Sequence, residues 1–273
     1  CTAVVEETHS DNMFQLTPSA TAVDSIQYDN AFRMCFSDPN QGSASADYIA
    51  ENKLATKVAI IYNSSDTYSS GIYQTFATEA KAKGLDVVAA EAFTADNKTD
   101  FSVQIQKAKD AGAELVFLPI YYQEASLILA QANKAGFTPK WFGCDGMDGI
   151  LGGVDNFDVS LTEGVMLLTP FAADATDDLT QSFVTKYKEK YGDTPNQFAA
   201  DSYDAIYVIK AAIEKSGVTP DMSVSDICDG MKAAMTEITV DGLTGSGMTW
   251  TADGEANKAP KAVVIENGAY KAM

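Results

Sequence analysis

The sequence is poor in the residues and motifs that many α/β enzymes use. Its 273 residues include a single histidine, His9, and neither G-x-G-x-x-G nor G-x-x-x-x-G-K-[ST] occurs in it. These absences argue against binding of dinucleotides and nucleoside triphosphates. There is no G-x-S-x-G elbow, and His9 falls on a predicted helix with no nearby serine or cysteine nucleophile, which argues against a Ser-His-Asp hydrolase. We therefore expect no cofactor and no catalytic residue.

Positive charge is also scarce. The chain has 19 Lys and Arg against 38 Asp and Glu, a formal net charge of -19, which opposes nucleic-acid binding because that binding depends on clustered cations. No apolar run approaches the ~20 residues that a membrane span requires. The cysteines are too far apart for the close pairs of a zinc site: Cys1, Cys35, Cys144 and Cys228. We expect neither a metal site nor a nucleic-acid partner.

The first part of the chain alternates regularly between strands and helices. A helix is predicted over 3–11 and strands over 14–16 and 32–36, and from residue 57 onwards strands and helices follow one another in turn. The later strands are predicted at 57–62, 87–93, 114–119, 141–143 and 164–168, and the helices between them near 67–83, 100–111 and 122–135. Strands separated by helices need crossovers, so the pattern predicts a parallel sheet with helices on both faces.

The second part of the chain is predicted to be mainly helical after Pro170, with helices over 177–191, 197–215 and 223–235. On the first of these helices, Leu179, Phe183 and Tyr187 form one apolar stripe. The chain then returns to β structure, and Asn267-Gly268 is typical of a two-residue hairpin turn.

Short polar segments follow several of the predicted strands. They are Thr17-Pro18-Ser19-Ala20-Thr21, Asp66-Thr67-Tyr68, Tyr121-Tyr122 and Asp145. In an open α/β sheet the carboxyl ends of the strands share one edge, so these side chains are expected to converge on one crevice. Hydroxyl donors suit the carboxylate of a small zwitterion and an acidic acceptor suits its ammonium. The pattern predicts a binding protein and not an enzyme.

Five segments together resemble a known family, the type I periplasmic binding proteins for branched-chain amino acids, which are the solute receptors of ABC importers. The segments are L-T-P-S-A-T (16–21), F-R-M-C-F-S-D-P-N-Q-G (32–42), Y-S-S-G (68–71), Y-Y-Q-E (121–124) and G-C-D-G (143–146). The resemblance implies a two-lobed α/β fold with parallel sheets. We expect the chain to cross between lobes at Gln41-Gly42, Thr169-Pro170 and Met248-Thr249, so that 1–41 with 170–248 forms the N-terminal-type lobe and 42–169 with 249–273 the C-terminal-type lobe.

The resemblance also implies which residues bind the ligand. Ser19, Ala20 and Thr21 look like the loop of the first lobe that holds the α-carboxylate and ammonium, and Tyr68 and Tyr121 look like residues of the second lobe that close over the head group. Asp145 stands where leucine-type receptors have a glutamate that pairs with the ammonium.

The residues themselves leave alternatives open for these positions. Ser19 and Thr21 follow a proline and could cap the next turn. Tyr68 could be an ordinary first-turn helical residue. Of the tyrosine pair, we expect Tyr122 to pack and Tyr121 to contact the ligand.

Members of this family have roughly ninety more residues before the position of Cys1. We therefore expect the first lobe to be incomplete, with open sheet edges that permit self-association. The implied function is that of an extracytoplasmic protein, periplasmic or extracellular, that binds a branched-chain or other aliphatic amino acid by hinge closure and delivers it to a membrane permease. A lipid anchor on a missing upstream segment is left open. The alternatives are a signalling receptor's ligand-binding domain and an enzyme using Asp145 as acid or base and Tyr121 as proton donor.

Overall fold

The computed structural model describes residues 1–273 and contains nine strands and eight α-helices. The strands are β1 (Gln15–Thr17), β2 (Ala31–Arg33), β3 (Lys57–Asn63), β4 (Asp86–Phe93), β5 (Leu115–Leu118), β6 (Lys140–Gly143), β7 (Met166–Thr169), β8 (Lys261–Glu266) and β9 (Ala269–Ala272). The helices are α1 (Val5–Ser10), α2 (Asp38–Glu51), α3 (Thr67–Ala82), α4 (Ser102–Asp110), α5 (Tyr122–Lys134), α6 (Asp178–Tyr191), α7 (Gln197–Ser216) and α8 (Val224–Met235).

The chain divides into two compact units, each built from two stretches of sequence. Unit 1 comprises 1–37 and 176–259, and unit 2 comprises 38–175 and 260–273. The units therefore divide after residues 37, 175 and 259, whereas the sequence placed the crossings after 41, 169 and 248. The segment 249–259 belongs to unit 1, where the Trp250 indole N–H donates to the Arg33 carbonyl oxygen over 2.8 Å.

Unit 2 contains one seven-stranded sheet in the order β4-β3-β5-β6-β7-β8-β9. All pairs from β4 to β7 are parallel, while β8 pairs antiparallel with both β7 and β9. The β8–β9 connection is the predicted hairpin: Asn267 and Gly268 both have positive φ, at 54° and 72°, as the commonest two-residue turn requires. The α/β class with a parallel-dominated sheet is confirmed.

Helices cover both faces of this sheet. Successive side chains of a strand point to opposite faces, and the apolar residues of β3 therefore pack against helices on either side. Ala59 and Ile61 of β3 pack with α4 and α5, whereas Val58 and Ile60 pack with α2 and α3. Helices α2 and α3 approach so closely that a Cβ on Gly42 would lie 2.6 Å from the Ile72 carbonyl oxygen. A glycine is therefore needed here for α2 to pack on α3.

Unit 1 has a small parallel sheet of two strands, β1 and β2. Phe32 and Met34 pack against apolar residues of α7 and α8. Helices α6, α7 and α8 each begin with a side chain that caps the first turn, from Asp177, Asn196 and Ser223 respectively. These caps satisfy backbone N–H groups that have no partner within the helix.

The apolar stripe predicted on α6 is only partly covered: Phe183 and Tyr187 are half-buried, and Phe183 packs on Tyr203 of α7. Leu179 is 42% exposed, and the buried residues of α6 are Thr180 and Val184. On α7, Ile206 and Tyr207 are also exposed, at 65% and 49%. Periodicity identifies the face of a helix that is apolar, but it does not show what covers that face.

None of the helices has both the length and the apolar character needed to cross a membrane.

Candidate functional site

The carboxyl ends of β3, β5 and β6 bring together three residues that the sequence singled out. In the strand order β4-β3-β5-β6, the sheet grows in opposite directions from β3, and such a reversal opens a crevice at the carboxyl edge. Tyr68 lies in the first turn of α3 after β3, Tyr121 directly precedes α5 after β5, and Asp145 follows β6. Together with Asp38 and Gln41, described below, we call these residues the Asp145 cluster.

Direct contacts join the three residues. The Tyr68 hydroxyl donates to Asp145 Oδ1 over 2.6 Å, and the rings of Tyr68 and Tyr121 stack with centroids 4.8 Å apart. The predicted meeting of these side chains at one edge of the sheet is therefore present within unit 2.

The Asp145 carboxylate is buried and its position is fixed. Its residue is 4% exposed, and its backbone N–H donates to Gln41 Oε1 over 3.1 Å. The Tyr68 hydroxyl, while donating to Asp145, accepts from the Gly146 N–H over 2.9 Å. A Cβ on Gly146 would lie only 2.7 Å from that hydroxyl oxygen. Tyr68 thus orients the carboxylate through a contact that requires glycine at 146.

Burial dominates the electrostatics of this carboxylate. Desolvation raises the pKa of Asp145 to about 7, and the nearby Asp38 charge adds to the rise, while hydrogen bonding to the carboxylate by Tyr68 and Gln41 opposes it. Because desolvation penalises the charged form, a cation placed against the carboxylate would favour ionisation. The arrangement suits an acceptor for a ligand ammonium.

Asp38 and Gln41 are members of the cluster that the sequence did not single out. Both lie in the first turn of α2 and are buried, at 3% and 0% exposure. Asp38 raises the pKa of both Asp145 and Tyr121 through its charge. Residues three apart on a helix share a face, so the D-x-x-Q spacing within the quoted segment 32–42 was the signal that could have found them.

Tyr121 and its neighbour Tyr122 have different environments. Tyr121 is 43% exposed at the rim of the cluster, and desolvation together with the charges of Asp66, Asp145 and Asp38 raises its pKa well above the ordinary value. Its phenol therefore stays protonated. Tyr122 packs closely over Gly149 and Gly153, where added Cβ atoms would lie 3.3 and 2.6 Å from its ring. Tyr122 is thus the packing residue and Tyr121 is accessible to a ligand.

The loop after β1 lies in unit 1 and contains the other predicted site residues. Ser19 is exposed, Ala20 is half-buried and Thr21 is buried. The turn is capped by Thr17, whose Oγ1 accepts from the Ala20 N–H over 3.0 Å, and not by Ser19 or Thr21. That this loop and the Asp145 cluster bind one ligand stays a prediction.

Two other predictions concern residues outside these sites. His9 is exposed on α1, where its ring stacks on Tyr28 at 4.2 Å and its Nδ1 lies 3.7 Å from Asp29. No group of three or more His, Cys, Asp or Glu residues in the chain could hold a metal ion.

Comparison with known proteins assigns the chain to a family. A family profile described as "Periplasmic binding protein" matches residues 1–269, which is nearly the whole chain. The protein belongs to this family, and the resemblance to its type I, branched-chain amino acid members is confirmed.

Two amino-acid-binding relatives are 29% and 30% identical to the chain over the aligned regions. A Leu/Ile/Val-binding protein homolog from Brucella melitensis is 30% identical over 80% of this chain and 58% of its own length. A leucine-, isoleucine-, valine-, threonine- and alanine-binding protein from Pseudomonas aeruginosa is 29% identical over 76% of this chain and 55% of its own length. The matched region therefore spans a little over half of each of these relatives.

Two solved structures have a closely similar fold. The leucine-binding protein LivK from Thermotoga maritima superposes with a TM-score of 0.86 at 26% identity, covering 99% of this chain and 75% of that one. The branched-chain amino acid substrate-binding protein LivJ from Streptococcus pneumoniae, solved with isoleucine, gives a TM-score of 0.86 at 25% identity, covering 99% and 74%.

Proposed function

We propose that the protein is the solute-binding component of an ABC importer and that it binds a branched-chain or other aliphatic L-amino acid. The observation that carries this proposal is the buried Asp145 carboxylate held by Tyr68. An isolated buried charge is costly unless it is paired, and an α-ammonium would pair it. The names of the relatives, which bind leucine, isoleucine and valine, support the choice of ligand.

Each of the six predicted site residues has a proposed role in binding the charged groups of the ligand. Asp145 accepts from the α-ammonium, Tyr68 orients Asp145, and the accessible ring and hydroxyl of Tyr121 cover the head group. Ser19, Ala20 and Thr21 form the loop whose hydroxyl and backbone groups hold the α-carboxylate and the ammonium. Because the Ala20 N–H donates to Thr17 Oγ1, the proposed donors to the carboxylate are the hydroxyls of Ser19 and Thr21 and the Thr21 N–H.

We propose that no bond of the ligand is made or broken. The phenols of Tyr68 and Tyr121 both have pKa values raised well above their ordinary range, so neither is matched to proton transfer near neutral pH. The enzyme alternative makes the opposite prediction, because it requires product to accumulate from a small amino-acid-like substrate. Recovery of chemically unchanged ligand after long incubation separates the two.

The partner and the location follow from the same proposal. We infer that the protein works outside the cytoplasmic membrane and delivers its ligand to the permease of an importer. Membership of the periplasmic binding protein family supports the extracytoplasmic location.

Calorimetry with the purified protein tests the proposal most directly. L-leucine, L-isoleucine and L-valine are titrated in turn, with D-leucine and L-glutamate as controls. Measurable heats for at least one branched-chain ligand and none for the controls are expected. Mass spectrometry of small molecules released by denaturation provides a second readout, since a retained amino acid would be released intact. Heats equal to buffer for all L-amino acids, with no released ligand, would overturn the proposal.

We also propose that the chain self-associates through unit 1, whose helices α6 and α7 have exposed apolar side chains. Leu179, Tyr191, Ile206 and Tyr207 are each between 42% and 65% exposed, and such patches often mark interaction sites. A second copy is the proposed occupant. Sedimentation velocity should show concentration-dependent dimers that Ile206→Glu with Tyr207→Glu abolishes, and a monomer at all concentrations would contradict this.

A further inference from the structure

Arg33, at the end of β2, has the largest of the fully buried side chains and is 0% exposed. Its backbone is held on both sides: its N–H donates to the Gly254 carbonyl oxygen over 3.0 Å, and its own carbonyl accepts from Trp250 Nε1 over 2.8 Å. A buried guanidinium is costly unless acceptors surround it. The hydrogen-bond acceptors around the Arg33 guanidinium therefore indicate the role of this side chain.

Three consecutive backbone carbonyls accept from this guanidinium. Nη1 donates to the carbonyl oxygens of Thr21 and Ala20 over 2.6 and 3.3 Å, and Nη2 donates to that of Ala22 over 3.2 Å. Nε lies 3.4 Å from Glu255 Oε2, close enough for an ion pair but not aligned as a hydrogen bond. Arg33 thus holds the segment that contains the predicted ligand loop.

The geometry of the peptide bond fixes the direction of the backbone N–H groups that follow these three carbonyls. The chain has no cis peptide bonds, and in a planar trans peptide the C=O and the following N–H point in opposite directions. Since the carbonyls of residues 20–22 point towards Arg33, the N–H groups of residues 21–23 point away from it. The N–H groups of Thr21 and Ala22 donate to no other group of the protein. Successive outward N–H groups form a concavity that favours anions.

We propose that Arg33 is a positioning residue for binding of the ligand's α-carboxylate: by holding three carbonyls inward it presents the backbone N–H groups of Thr21 and Ala22 to the carboxylate. Its positive charge behind the loop adds to the attraction. The inference rests on the proposed amino-acid binding function, and it deepens that function by adding a residue that does not itself touch the ligand.

The planar guanidinium is essential to this arrangement. It has five donors in a fixed fork, whereas a lysine ammonium is a compact point charge on a flexible stem. A lysine at 33 would keep the charge but could not hold three carbonyls in one orientation. Arg33→Lys therefore separates geometry from charge.

The first test compares two ligands that differ in the carboxylate. Calorimetry measures the affinities of L-leucine and of L-leucinol, which keeps the ammonium but has a hydroxymethyl group in place of the carboxylate. For Arg33→Lys we expect the affinity for L-leucine to fall about tenfold or more, with L-leucinol changed by less than about twofold. Equal weakening of both ligands would overturn the proposal, because a merely structural role predicts it.

A matched control exchanges the other buried cation of unit 1. Lys258 is 6% exposed and forms an ion pair with Asp201 at 2.9 Å. Lys258→Arg should leave the ratio of L-leucine to L-leucinol affinity unchanged. The indole N–H resonance of Trp250, which reports on the Arg33 carbonyl, checks that β2 keeps its place in each variant.

A second variant keeps the test decisive if Arg33→Lys does not fold. Glu255 is half-exposed, and Glu255→Gln removes the anion that partly neutralises Arg33. We expect about two- to fivefold tighter binding of L-leucine and no change for L-leucinol. Unchanged or weaker binding of L-leucine would count against a role for the Arg33 charge.

An anion probe separates failure of this inference from failure of the proposed function. In an NMR titration with acetate, the amide resonances of Thr21 and Ala22 should shift in the wild type and not in Arg33→Lys. If the wild type binds no amino acid but shows this difference, the inference stands and the proposed function fails. If acetate shifts neither resonance in the wild type, or shifts both equally in the two proteins, the inference is wrong.

Discussion

The Asp145 cluster of unit 2 and the loop after β1 in unit 1 place charge in opposite ways. In the cluster, the charged group is itself the proposed ligand contact, a buried carboxylate whose pKa is raised to about 7. In the loop, the charged group is Arg33, which lies behind the backbone and holds its carbonyls. Backbone donors are then the proposed contact with the ligand.

The difference predicts different responses to conditions. A buried carboxyl can become neutral when the pH falls, because desolvation penalises its charged form. An arginine guanidinium stays charged in proteins at all ordinary pH values, and backbone N–H groups do not titrate. Binding of the ammonium should therefore depend on pH near neutrality, whereas binding of the carboxylate should not.

The largest effect is expected when the carboxylate of the cluster is removed. Asp145→Asn should weaken L-leucine binding by about a hundredfold or more, since loss of one partner of a buried charge pair costs about 2–5 kcal/mol. Calorimetry at pH 8 measures it. Asp155→Asn, which changes an exposed aspartate elsewhere in unit 2, is the control. Comparable affinity in the wild type and Asp145→Asn would remove Asp145 from the site.

Changing the pH should separate the two regions without any mutation. With the pKa of Asp145 at about 7 in the unliganded protein, the carboxylate must lose its proton to pair with the ammonium. The affinity should be nearly constant between pH 8 and 9, where the carboxylate is ionised and the ligand still carries its ammonium, and should fall about tenfold for each pH unit below 7. Affinities measured from pH 5 to 9 test this. A flat profile in the wild type would contradict the role given to Asp145.

Tyr68 has the role in the Asp145 cluster that Arg33 has in the loop. Tyr68 orients the Asp145 carboxylate, whereas Arg33 orients backbone carbonyls. Tyr68→Phe removes the donor to Asp145 and the acceptor of the Gly146 N–H. Loss of that hydrogen bond raises the pKa of Asp145 further, so L-leucine affinity at pH 7 should fall about tenfold. Most of the loss should be regained at pH 9.

The control for this change is Tyr62→Phe, since the Tyr62 ring stacks on Tyr73 and its hydroxyl interacts with Tyr73. A loss in Tyr68→Phe that is equal at pH 7 and pH 9 would show that Tyr68 does not act through the ionisation of Asp145.

The smallest effect is expected at Tyr121. Its ring stacks on Tyr68 and its hydroxyl has no hydrogen bond to the cluster, so Tyr121→Phe should change affinity by less than about threefold. Tyr121→Ala, which removes the stacked ring, should cost about three- to tenfold. Calorimetry with L-leucine distinguishes the two. Equal losses would show that the hydroxyl, and not the ring, makes the ligand contact.

Most of unit 2 could be predicted because its signals are local. The β3–α3 unit shows a short apolar run, then apolar residues at four-residue spacing, then Gly84 with φ of 75° beyond the helix end. Each of these signals depends on neighbours within a few residues, so sequence is enough to read them. Even so, Asp66 occupies the N-cap position of α3 without a capping hydrogen bond from its side chain.

The residues that the sequence did not reveal depend on distant contacts. Gln41 reaches the Asp145 N–H from another helix, 104 positions away in the chain, because Gly42 lets α2 approach α3. Arg33 binds backbone carbonyls, which every residue has and which leave no mark on the sequence. The exposure of Leu179 on α6 likewise depends on what packs against the helix, and periodicity does not record it.

The sequence by itself determined the order of strands and helices, the chemical types of the side chains proposed to bind the ligand and their positions after the strands, because these follow from local periodicity and residue chemistry. Only the tertiary structure decided that Asp145 is buried against Tyr68 with a raised pKa, and that Arg33 supports the loop after β1. Burial and hydrogen bonding between distant segments set these properties, and they exist only once the chain has packed.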